Sequence, residues 1–137
     1  MSKKPRSVDQ HRRFFGVVSA AFDNWPKDHQ FQPDSAEHLR AYLITKAGRR
    51  TINTYHVSTD ASEFAKLLPI VVASMLQKFS WAWPVSDTEL RVCVPESIAF
   101  DKMSHQEFCK LCDDVEAVIE AETGMRAADL LKASEAA

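Results

Sequence analysis

The sequence predicts an α+β fold dominated by helices: one domain with four to five helices and a small two- or three-stranded sheet. Three observations carry that prediction. Apolar residues recur at helical spacing near both ends of the chain, as Phe14, Val18, Ala21, Phe22 and Trp25, and as Phe108, Leu111, Cys112, Val115, Val118 and Ile119. Three pairs have the capping-box spacing that opens a helix: Asp34 with Glu37, Asp60 with Glu63, and Ser104 with Glu107. Two runs between the helices are rich in β-branched and aromatic residues.

Taken in order, residues 1–8 read as a basic disordered arm and residues 9–124 as the globular domain. The first helix is expected from Asp9 to Asn24, with Gly16 admitting a close neighbour. Pro26 to Pro33 reads as a polar loop. A second helix opens at Asp34, buries Leu39, Tyr42 and Leu43, and stops at Gly48. Thr51, Ile52, Thr54, Tyr55 and Val57 make Arg49 to Ser58 a strand. The helical region after Asp60 meets Pro69, which predicts either a kink or a second helix to about Phe79. Trp81 and Trp83 point to one side if their segment is extended. Glu89 to Val94 is a second strand, closed by Pro95. The last long helix ends at Gly124, and residues 125–137 read as a helix-prone, partly disordered tail.

Composition narrows the function classes. No apolar run approaches the roughly 18 residues a membrane span needs. The N-terminus lacks the apolar core of a signal peptide, so a cytoplasmic location with reduced Cys93, Cys109 and Cys112 is expected. The net charge of −2 divides unevenly: residues 1–56 sum to +5 and residues 57–137 to −7. That asymmetry points to an anionic partner for one half, or to association through opposite charges. The alternative is that folding intermixes the charges.

Three stretches carry a family resemblance. One is His11-Arg12-Arg13-Phe14-Phe15 with Ala21-Phe22-Asp23-Asn24-Trp25-Pro26. Another is Phe31-Gln32-Pro33-Asp34, Glu37 to Leu43, and Lys46-Ala47-Gly48. The third is Pro95 to Met103 with Glu107-Phe108. Together they resemble a family of small tailed-phage and prophage proteins, a domain of unknown function. The resemblance implies a phage-encoded accessory protein acting in a bacterial host cell. Such genes commonly sit among replication and recombination genes, or among genes that disarm host defences. It brings no catalytic residues.

Four constellations offer chemistry. Arg12, Arg13, Lys46, Arg49 and Arg50 form a basic set for phosphates, with Tyr55 and Trp83 (or Trp81) as bases' stacking partners; DNA or RNA would be the ligand. Asp113, Asp114, Glu116, Glu120 and Glu122 form an acidic helix face that could mimic a phosphate backbone toward a host protein. His105, Cys109 and Cys112 share a helical spacing and, with Cys93, would make one His and three Cys for zinc; the competing reading packs Cys112 in the apolar stripe. No cofactor or catalytic residue is assigned. There is no phosphate-binding glycine loop, since the chain has only Gly16, Gly48 and Gly124. A metal-dependent nuclease would need clustered carboxylates that only a fold assembles.

The expectation is therefore a non-enzymatic phage or prophage accessory protein that acts by binding. Nucleic-acid handling in replication or recombination leads. A protein-directed inhibitor of a host defence complex, using the acidic face or the Trp side, is the alternative. A homodimer fits either.

Overall fold

A computed structural model of the chain describes residues 8–57, 60–98 and 103–136, so the arm with Lys3, Lys4 and Arg6 and the expected strand end at Ser58 lie outside the described residues. The elements run α1 (Val8–Asp23), α2 (Ala36–Lys46), β1 (Arg50–His56), α3 (Ala61–Gln77), β2 (Trp81–Pro84), β3 (Glu89–Pro95), α4 (His105–Thr123) and α5 (Ala127–Ala136). The fold class is α+β, with the sheet antiparallel throughout and ordered β1-β3-β2.

Helix boundaries follow from capping chemistry. Ser104 Oγ accepts from the Glu107 N–H at 3.2 Å and opens α4. Asp60 accepts from the amides of Ser62 and Glu63 and opens α3. The second helix starts one residue later than predicted: Ser35 is the cap, and its hydroxyl accepts from the His38 N–H at 3.1 Å. Adjacent Asp and Ser are comparable cap formers, so the choice passes to the neighbourhood. Here the Asp34 N–H is taken by His38 Nδ1 at 3.1 Å. Gly124 ends α4 in the left-handed conformation, φ 77°, and its N–H donates to the Glu120 carbonyl.

Pro69 neither splits α3 nor starts a new helix; α3 runs unbroken from Ala61 to Gln77. Pro69 and Ala65 are both exposed, so water can serve the Ala65 carbonyl that loses its amide donor. The helix ends on Phe79, a non-glycine residue at φ 57°. The Phe79 N–H reaches the Leu76 carbonyl and the Ser80 N–H reaches the Met75 carbonyl, the bond pattern that turns a chain sharply out of a helix.

The chain folds as two compact units, one built from residues up to Gly48 together with those from Ser97 on, the other from Arg49–Glu96. The first is all helical. Phe14, Val17, Leu39, Leu43, Phe108, Leu111 and Ile119 lie at its centre, each at most 3 % exposed. The segment after Gly124, read above as a tail, forms α5 and adds Ala127 and Leu130 to this core. Gly16 does face a neighbour: a Cβ placed there would stand 3.5 Å from Leu131 Cδ2.

The second unit lays α3 on one face of the sheet. Phe64, Ala82 and Leu90 are its buried centre, flanked by Leu68, Val71, Val72, Met75 and Val92. The register decides which residues share that face. Tyr55 stands opposite Leu90 and Asn53 opposite Val92, so both belong to the α3 side. Thr54 and Trp83 stand opposite Arg91, and Ile52 and Trp81 opposite Cys93, so these occupy the far face.

Candidate functional site

The far face of the three-stranded sheet sets two sequence-predicted residues, Arg50 and Trp83, on the same side as Arg91, which sequence reasoning did not name. Three strands bring Thr54, Arg91 and Trp83 into one cross-strand row. The Arg91 Nε–H donates to Thr54 Oγ1 at 3.3 Å, which holds the guanidinium over the sheet. Trp83 and Arg91 are exposed, and Arg50 stands exposed on the same face nearer the start of β1. Trp81 and Trp83 point to one side as expected, because β2 is a true strand. In the next row Cys93 is 4 % exposed, and burial raises its thiol pKa, with Arg50 opposing.

The seven residues proposed for nucleic acid divide between the two units. Arg12, Arg13 and Lys46 belong to the helical unit; Arg49, Arg50, Tyr55 and Trp83 belong to the sheet unit. Tyr55 and Trp83 stand on opposite faces, so they cannot stack on one run of bases. Parity is the reason: one residue step along a strand reverses the face. Arg49 precedes β1 and lies 3.9 Å from the Glu96 carboxylate, whereas Arg50 opens the strand. Arg12 is exposed on α1. The Lys46 ammonium sits 5.6 Å over the Tyr42 ring. The charge asymmetry of the sequence halves also disappears on folding. Residues 49–96 carry five Lys and Arg against five Asp and Glu.

The acidic set is interleaved with arginines. Arg13 donates to Glu116 at 3.1 Å, and Arg126 lies 3.9 Å from Glu120. Asp113, Glu116 and Glu120 share a cleft of about 490 Å³ with both arginines, whereas Asp114 is not among its walls. The basic first helix packs on the acidic fourth, which is why neither sign forms a pure patch there.

The zinc set does not assemble. Among the described residues no group of three or more His, Cys, Asp or Glu converges as metal ligands. His105 Nε2 is 3.6 Å from Cys109 Sγ, and the Gln10 amide donates to the same sulfur at 3.2 Å. Cys112 packs against the helical core, as the competing reading held. Its thiol is pushed up to about 12, first by burial and then by the charges of Glu116, Cys109 and Asp113.

Sequence reasoning missed one cluster, at the Pro26–Pro33 loop. The Phe31 N–H donates to His29 Nδ1 at 2.9 Å, which leaves the ring proton on Nε2. That proton goes to Glu122 Oε1 at 2.8 Å, and the Tyr42 hydroxyl donates to the same oxygen at 2.7 Å. Phe31 stacks on Tyr42 with centroids 3.9 Å apart, and Trp25 Nε1–H donates to the Phe31 carbonyl at 2.8 Å. The cluster edges a cleft of about 580 Å³ that Lys46 also lines. Both His29 nitrogens are committed, so the network pins the loop to α2 and α4. No local signal could have found it, since His29 and Glu122 are 93 residues apart.

Comparison with family models, with curated proteins and with solved structures finds no match to this chain.

Proposed function

We propose that the chain acts by binding, as a phage or prophage accessory protein, and that its ligand is single-stranded nucleic acid held on the far face of the sheet. The observation that carries this reading is the row Thr54–Arg91–Trp83, an exposed indole beside a positioned guanidinium. An aromatic face stacks on any unpaired base, and the cation beside it takes the phosphate. Arg50 on the same face supplies a second phosphate contact. The sheet unit is neutral overall, so stacking leads and the salt dependence is shallow. Neutralising two phosphates of a single strand releases their counterions and gives a slope of about −1.4 in log affinity against log salt.

Fluorescence anisotropy with labelled single- and double-stranded oligonucleotides, across a salt series, tests this. Trp83→Ala should weaken single-strand binding by about tenfold, the scale of one stacked base. Arg91→Gln should flatten the salt slope by roughly 0.7, and Arg13→Gln should leave both unchanged. No binding at low salt, or binding indifferent to Trp83 and Arg91, removes the reading.

A second reading has its own observation. Every exposed large hydrophobic side chain among the described residues, including Leu67, Ile70 and Leu76 on α3, lies within residues 49–96. That favours a protein contact made by the sheet unit rather than by the acidic helix. Loss of a host-protein complex on Ile70→Glu, with oligonucleotide binding absent, would select it.

A further inference from the structure

We infer that the free edge of β1 pairs with β1 of a second copy of this chain, antiparallel about Asn53, so that two three-stranded sheets join into one of six strands. The inference stands apart from the nucleic-acid reading.

The hydrogen-bond parity of the sheet decides which groups face outward. The Glu96 N–H donates to the Arg49 carbonyl and the Val57 N–H to the Thr88 carbonyl, both at 2.9 Å. In an antiparallel ladder bonded pairs alternate with non-bonded ones. Residues 51, 53 and 55 therefore point their N–H and C=O groups at β3, and Ile52 and Thr54 point theirs away. β1 is an end strand of the sheet, and all seven of its residues are exposed.

Of the devices that keep an edge single, the sequence of the strand carries only the charge of Arg50 at its start. Arg-Thr-Ile-Asn-Thr-Tyr-His contains no proline, lysine or carboxylate, and its seven-pair register to β3 shows no bulge. It is also self-complementary. Centred on Asn53, Ile52 falls opposite Thr54 of the partner subunit, and Thr54 opposite Ile52 of the partner subunit. Both are pairs of outward-facing residues, so they exchange four N–H···O bonds. A one-residue slip would set outward groups against inward ones. A two-residue slip, which moves the centre by one residue, would shorten the ladder from about seven opposed positions to about five. Charge agrees with this register. Glu89 is the cross-strand partner of His56, and Arg50 opens β1. Pairing sets Arg50 in the row that holds the partner's His56 and, one strand further, the partner's Glu89. A two-fold contact of one surface with itself is the commonest route to a soluble dimer.

Two experiments on the full chain decide it. By sedimentation equilibrium the wild-type chain should be a dimer. Ile52→Lys and Thr54→Pro should each give a monomer with an unchanged circular dichroism spectrum, because Thr54 spends its amide on the free edge and not on β3. Cysteine cross-linking reads the register. At the two-fold axis Asn53 and its copy form a non-bonded pair about 4.5 Å apart at Cα, within disulfide reach. Asn53→Cys should give a covalent dimer under mild oxidation. Thr51→Cys should not, since its copies are about four residues out of step; the native thiols are common to both variants. A wild-type monomer at about 100 μM, a dimer that survives both edge variants, or equal cross-linking at 51 and 53 would overturn the inference.

Discussion

The two units of this chain solve the same burial problem with unequal means. The helical unit surrounds its centre with four helices and buries sixteen side chains in one cluster among the described residues. The sheet unit has one helix against three short strands and buries three. The nine exposed large hydrophobics of the described residues, from Ile52 to Val94, all belong to the sheet unit. A helix laid on one side of a sheet covers only that side, and Ile70 on the helix and Ile52 and Trp83 on the far face stay exposed. Fewer than 50 residues cannot cover both. The contrast teaches where to look for partners: apolar surface is left over where the architecture is thin, not where the sequence is most apolar.

Core truncation should break the comparison hardest. Phe108→Ala opens a cavity at a fully buried site and should cost about 3–5 kcal/mol, whereas Leu90→Ala, in the smaller cluster that can relax toward solvent, should cost about 2–3 kcal/mol. Urea unfolding by circular dichroism measures both. Equal losses would mean that the smaller cluster relaxes less than the larger one, since leucine gives up fewer carbons than phenylalanine.

Alkaline pH should weaken both units next, the sheet unit through Cys93 and the helical unit through two groups. Burial and the bond to Glu122 hold the Tyr42 phenol protonated well beyond the ordinary tyrosine range, and Cys112 is pushed up to about 12. Folded protein keeps these protons while unfolded chain releases them above about pH 9–10. Stability is therefore full below those values and falls as pH rises through the window above them. Tyr42→Phe and Cys112→Ala should flatten the decline in melting temperature between about pH 9 and 11. An unchanged slope in both variants would count against these groups as its source.

The smallest effect sharpens the account of the helical unit. Gly16→Ala adds a methyl group at ordinary contact distance from Leu131 and removes a flexible residue from a helix interior. It should stabilise by about 0.5–1 kcal/mol. A loss in thermal melts would mean that α5 lies closer to α1 than this spacing allows.

Legibility followed the range of the interaction. The Ser104 and Asp60 caps, the Gly124 stop and the stripe from Phe108 to Ile119 were readable because each depends on residues within one or two turns. The Ser35 cap was missed by one position because two adjacent residues compete and His38 breaks the tie. The unbroken course of α3 through Pro69 depended on exposure, which spacing does not report.

At the candidate site the residue types were legible and their grouping was not. Trp83 and Arg50 were named from sequence, but Arg91, the centre of the row, was not, because only the β1-β3-β2 order sets it between Thr54 and Trp83. Tyr55 was grouped with Trp83 until register placed them on opposite faces.

By itself the sequence determined the fold class, the caps at Asp60 and Ser104, the stop at Gly124 and the β1 and β3 runs, since backbone propensity, caps and periodicity act locally. Tertiary structure alone decided that Arg13 meets Glu116, that His29 and Tyr42 converge on Glu122, and that Ile52 and Thr54 face outward. Those outcomes depend on which segments pack together, and a charge or a hydrogen-bonding group takes its partner from space rather than from its place in the chain.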